Sequence, residues 1–91
     1  MADDTGSEEP KDWEVELEEA RATGDRLGEA NAHNGLGELA LRTGDSEAAR
    51  DHFEAALTIC VEIRDRPGEV NAHNGLGDVA LRTGDPEAAR V

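Results

Sequence analysis

Asn-Ala-His-Asn-Gly-Leu-Gly fills residues 31–37 and recurs unchanged at 71–77. Taken alone, the heptapeptide is ambiguous. Asn-Gly is a strong hairpin-turn dipeptide. Gly35–Ala40 fits the G-x-G-x-x-G/A spacing of a dinucleotide-binding loop. His33 and His73 are of a type that ligates metals or moves protons. The surroundings of the two copies decide between these readings.

Shifting the chain by forty residues lays Asp25–Arg50 over Asp65–Arg90, and 21 of 26 positions are identical. The exchanges are mild: Leu27/Pro67, Ala30/Val70, Glu38/Asp78, Leu39/Val79 and Ser46/Pro86. A weaker echo upstream places Trp13 on Phe53 and Leu17 on Leu57. A fixed period of this size marks a stacked repeat array.

Each unit reads as two helices. Asp25 and Asp65 are good N-caps for helices over 26–42 and 66–82. Thr-Gly-Asp at 43–45 and 83–85 breaks them, with Gly44 and Gly84 suited to a left-handed closing residue. Asp45 and Asp85 each cap a second helix, and Pro86 suits a first helical position. The complete second helix runs over 46–63, with Ala49, Phe53, Ala56, Leu57 and Cys60 at helical spacing. Arg-Asp-Arg-Pro at 64–67 is the turn between units. A helix over 10–23 matches the second type, and residues 1–9 are acidic and polar, which predicts a disordered tail. The chain therefore divides into that tail and a helical domain over 10–91: one second-type helix, a full repeat at 26–63 and a partial repeat at 66–91.

Within that frame the residues resemble the tetratricopeptide repeat. Leu36-Gly37 and Leu76-Gly77 supply its L-G pair, Gly44 and Gly84 its small turn residue, and Ala49, Phe53 and Ala56 its A-x3-F-x2-A second helix. The forty-residue period is similar to the longer repeats of kinesin light chains and spindle-orientation adaptors. The chain departs from the pattern where His33 and His73 take the first aromatic slot, Ala40 and Ala80 the second, and Val61 replaces a proline. The resemblance implies an all-α fold: antiparallel helix-turn-helix repeats stacked as a short right-handed α-solenoid. It also implies that first helices line a concave groove where a peptide or partner helix is held.

On those first helices Asn31, Asn34, Glu38 and Arg42 recur at three- and four-residue steps, and Asn71, Asn74, Asp78 and Arg82 repeat the stripe. Asparagine both donates and accepts, which suits it to an extended peptide backbone. Glu38 and Asp78 favour a basic segment. These eight residues are the candidate partner-binding site. Read as surface alone, they form a solvated face with Glu38–Arg42 and Asp78–Arg82 pairs of ~0.2–0.5 kcal/mol each.

The same frame disposes of the local alternatives. A dinucleotide loop requires a preceding strand and a βαβ unit, and Gly-Asp-Arg-Leu-Gly-Glu-Ala-Asn at 24–31 is neither β-branched nor aromatic. His33 shares a helix face with Leu36, Gly37 and Ala40, so it reads as a packing histidine with one hydrogen-bonded ring nitrogen. Stacked equivalents lie ~10 Å apart, too far for His33 and His73 to share an ion. No metal, cofactor or catalytic set is expected. Gly37 is the expected contact between paired helices. Gly35 would cost ~1 kcal/mol against alanine in mid-helix, and leaves room for a ligand or a backbone. Cys60 reads as a small buried residue.

Composition sets the outer limits. Ninety-one residues allow one small domain, and one cysteine excludes an internal disulfide framework. With 22 acidic residues against 9 basic, the formal charge is −13, which argues against a nucleic-acid backbone as partner. No apolar run is long enough for a membrane span, so the expected setting is cytoplasmic. Leu76, Val79 and Ala80 form an apolar face on the fourth helix, while the helix over 10–23 lacks a first-type partner. The expectation is thus a non-enzymatic binding module. Its alternatives are a structural unit that self-assembles through helix 10–23 and the open end, or a fragment of a larger regulator.

Overall fold

The computed structural model describes residues 12–84, which form four α-helices: α1 (Trp13–Thr23), α2 (Arg26–Arg42), α3 (Ser46–Ile63) and α4 (Arg66–Thr83). The helix expected from residue 10 starts at Trp13 behind the extended Asp12 cap, while the expected disorder of 1–9, the Asp85 cap and the helical stub after it lie outside the described residues. Two- and three-residue connections make each helix antiparallel to the next. The stack is α1 on α2, α2 on α3 and α3 on α4, with α2 also touching α4.

The punctuation is chemical. The carboxylates of Asp12, Asp25 and Asp45 accept from the amides of Val15, Gly28 and Ala48 at 3.3, 2.9 and 3.1 Å. Each satisfies one of the amides that a helix start leaves without a partner. Asp65 holds the same extended cap conformation, but its carboxylate makes no cap bond. The turn expected at 64–67 and the helix expected from 66 overlap, and the helix prevails. Arg66 and Pro67 already belong to α4, where proline's missing amide costs nothing, and only Arg64 and Asp65 connect the helices. At the closing positions Gly24, Gly44 and Gly84 are left-handed, and so is Arg64, with φ 60°.

Three small clusters make up the core. Trp13 and Leu17 of α1 meet Ala32 and Leu36 of α2. Ala30 meets Ile59, Cys60 and Ile63 of α3. Phe53 joins Leu41, Ala49 and Val79, with Ala40 and Leu76 packed against them. Side chains this small fill space only if backbones approach closely, and glycines provide the approach. A methyl group on Gly35 would fall inside the Trp13 indole. A methyl group on Gly75, forty residues on, would fall inside the Phe53 ring. Phe53 also presses on Gly37, where an added Cβ would meet Cε1 at 2.8 Å. Phe53 therefore sits between the glycine of its own pair and the glycine of the next, with 1% of its surface exposed. Gly35 is explained by an aromatic ring, not by a ligand or a backbone.

This register corrects one expectation, that Leu76, Val79 and Ala80 form the open face of α4. Val79 and Ala80 are buried, and Leu76 packs on the Phe53 cluster, because this side of α4 meets the preceding repeat just as Leu36 meets α1. Among the described residues, the opposite side, with Val70, Gly77 and Leu81, is the one left uncovered.

Candidate functional site

The contact between α2 and α4 sets the two first helices side by side, which puts their polar stripes on neighbouring elements. Asn31, Glu38 and Arg42 are exposed on α2; Asn71, Asn74, Asp78 and Arg82 are exposed on α4. None of these seven side chains has a hydrogen bond or ion pair among the described residues. Neither Glu38–Arg42 nor Asp78–Arg82 closes, so the solvated-pair arrangement is not the one adopted.

Asn34 differs from the rest. It is 8% exposed, and its Oδ1 is buried with no hydrogen-bond partner. On α2 it lies one turn from Ala30 and two from Leu41, on the side that α3 and α4 cover. Its counterpart Asn74 is exposed because nothing among the described residues covers that side of α4. The stripe thus reaches the surface with three residues on α2 and four on α4.

The histidines also part company. His33 is buried, and its Nδ1 lies 3.1 Å from the Nδ1 of His52 on α3. The ring centroids are 5.3 Å apart, close to the most that a 3.1 Å nitrogen separation and two ring radii allow, so the nitrogens point at each other. One ring donates N–H to the lone pair of the other. A shared metal ion would need both lone pairs to converge on a third point. Burial, then His52 and Arg21, hold the His33 pKa below its ordinary value, with Glu29 opposing them. His33 is the packing residue the sequence suggested, whereas His73 is exposed. Sequence reasoning misses His52. Its signal is its place directly before Phe53, since the ring that meets Gly37 puts residue 52 level with His33.

Cys60 is fully buried, and a methyl group on Gly68 would collide with its Sγ. Burial, with Asp65 and Glu69 beside it, pushes the thiol pKa up, which disfavours the reactive thiolate. Among the described residues no group of three or more His, Cys, Asp or Glu side chains is placed to hold a metal ion. None of the described helices is long and apolar enough to cross a membrane.

Helix pairs stacked at a forty-residue period, with an aromatic of each second helix locked on a glycine of the next first helix, define an α-solenoid repeat protein. The tetratricopeptide repeat family model matches residues 17–60 and 28–91, and the chain belongs to that family. No curated protein and no solved structure matches the chain. Repeats of this family are a non-catalytic scaffold and serve generally as protein–protein interaction modules.

Proposed function

We propose that the chain holds an extended peptide or a partner helix along the stripe of Asn31, Glu38 and Arg42 on α2 and Asn71, Asn74, Asp78 and Arg82 on α4. The observation that supports this is their common state: seven exposed polar side chains on two adjacent helices, none bonded to the rest of the described protein. Donors and acceptors left open in this way are available to a ligand at no cost in broken internal bonds. Glu38, Asp78 and the net charge of −13 favour a basic segment. Asn34, buried under its neighbours, serves packing and lies outside the reading surface. Two first helices make a short groove, so binding is weak and salt-sensitive.

The test is a crosslinking pulldown from the native cell with wild type and with Asn31→Ala/Asn71→Ala/Asn74→Ala. Loss of the captured protein, with an unchanged melting temperature, supports the groove. Equal capture by both chains sinks it.

A further inference from the structure

At the start of α2 the charges are paired. Arg26 meets Glu29 of its own helix at 3.1 Å and also Glu62 of α3, while Arg21 of α1 meets Glu29 at 3.5 Å. At the other end of both first helices they are not. Glu38 stands four residues before Arg42, and Asp78 four before Arg82, the order and spacing at which a carboxylate and a cation pair best on a helix. Neither pair closes among the described residues, and all four side chains are exposed. The two copies also carry the same sign at the same level, because Glu38 and Asp78, and Arg42 and Arg82, are repeat equivalents on helices that touch. Stacked equivalents lie ~10 Å apart, about one helix diameter. The groove thus holds an acidic row and, ~6 Å further along the helix axes, a basic row.

We propose that the occupant of the groove is an extended segment with one basic and one acidic side chain two residues apart, in either chain direction. This rests on the groove reading above and names the kind of segment that fits it. Side chains on one side of an extended chain repeat every ~6.7 Å, close to the separation of the two rows. The basic side chain then lies between Glu38 and Asp78. The carboxylate lies between Arg42 and Arg82 and accepts hydrogen bonds from both guanidinium groups. Neighbouring residues of an extended chain point to opposite sides, so an adjacent acid and base cannot fill both rows. A purely basic segment is attracted by the net charge of −13, but it sets a cation against the two arginines. Net charge governs encounter here, and the two rows govern choice. Asn31 and Asn71 lie ~10 Å beyond the acidic row, about three extended residues, where they meet the backbone of the segment.

The probes are four blocked peptides that share one flanking sequence of serine and threonine. Their centres are Arg-Thr-Glu, the isomer Thr-Arg-Glu with adjacent charges, Arg-Thr-Arg and Glu-Thr-Glu. Each is titrated at low salt into the isotope-labelled full chain, and affinities are read from amide shifts. The proposal predicts that Arg-Thr-Glu moves Glu38, Arg42, Asp78 and Arg82 and binds at least ~5-fold tighter than the other three. Arg42→Glu/Arg82→Glu makes Arg-Thr-Arg the tightest. Arg42→Gln/Arg82→Gln, which puts no anion at the helix C-termini, removes the preference of Arg-Thr-Glu over Arg-Thr-Arg. Equal binding of these two peptides by wild type, or of Arg-Thr-Glu and its isomer, overturns the inference and leaves the groove standing. Absence of shifts at the four charges with millimolar Arg-Thr-Glu overturns it as well. The groove itself is judged separately, by the pulldown with the triple asparagine variant.

Discussion

Gly35, Gly75 and Gly77 share one repeated heptapeptide and differ in the groups that face them. Trp13 covers the first, Phe53 the second, and nothing within 4 Å the third. Alanine substitution sorts them by environment. Gly35→Ala and Gly75→Ala force a methyl group into a ring and lose about 1–3 kcal/mol. Gly77→Ala removes only the conformational cost of glycine in a helix and gains about 1 kcal/mol. Urea unfolding of the three variants checks this, and a common effect at all three would refute the assignment. His33 makes a separate prediction. Its folded pKa lies below the ordinary value of 6.5, so the unfolded chain takes up a proton that the native state refuses. Stability is unaffected by this group well above 6.5 and falls as pH drops below it. His33→Gln flattens the profile where pH falls through 6.5; an unchanged slope would show that burial of this ring does not govern it. Little of this is legible in the sequence. That His33 packs follows from its helix face. Its partner requires knowing which side of α3 turns inward, and the ring over Gly35 belongs to Trp13, more than twenty positions earlier in the chain.

At the scale of the element, the ends of α2 and α3 are readable because caps are local chemistry. Asp25, Asp45, Gly44 and the broken periodicity after Ile63 carry the boundaries in single residues. The turn at 64–67 is less readable. Proline serves equally as a turn residue and as an early helical one, and the difference depends on Asp65 taking the cap conformation. The weak joint of the chain lies here. Arg64 adopts φ 60° where the equivalent position forty residues earlier is Gly24. A side chain in that region costs about 1–2 kcal/mol. Arg64→Gly therefore raises stability by about 1 kcal/mol, after the larger entropy of glycine in the unfolded chain is subtracted. Thermal melts of the two chains measure it directly. A loss of stability would mean that the arginine side chain contributes more than its backbone costs.

Across the whole molecule, α1 stands to α2 as α3 stands to α4. Trp13 and Gly35, Ala20 and Gly28, are answered by Phe53 and Gly75, Cys60 and Gly68. Stacking of this kind couples nearest neighbours only, so each aromatic ring joins one pair to the next. The stacking of units follows from the repeat, because a two-helix unit cannot bury its faces without a neighbour, and the α-solenoid class follows from the family resemblance. The candidate binding stripe is legible to the same extent as helical periodicity: the positions share a side, but burial of Asn34 depends on α3 and α4, which no window within α2 contains.

One ring, that of Phe53, locks Gly37 and Gly75, and ring-current shifts report it residue by residue. In NMR spectra of the full chain, the Hα resonances of Gly35, Gly37 and Gly75 should be displaced and show cross-peaks to Trp13 or Phe53, while those of Gly77 keep ordinary helical values. Displacement at Gly77, or its absence at Gly75, would contradict the stacking register on which the rest depends.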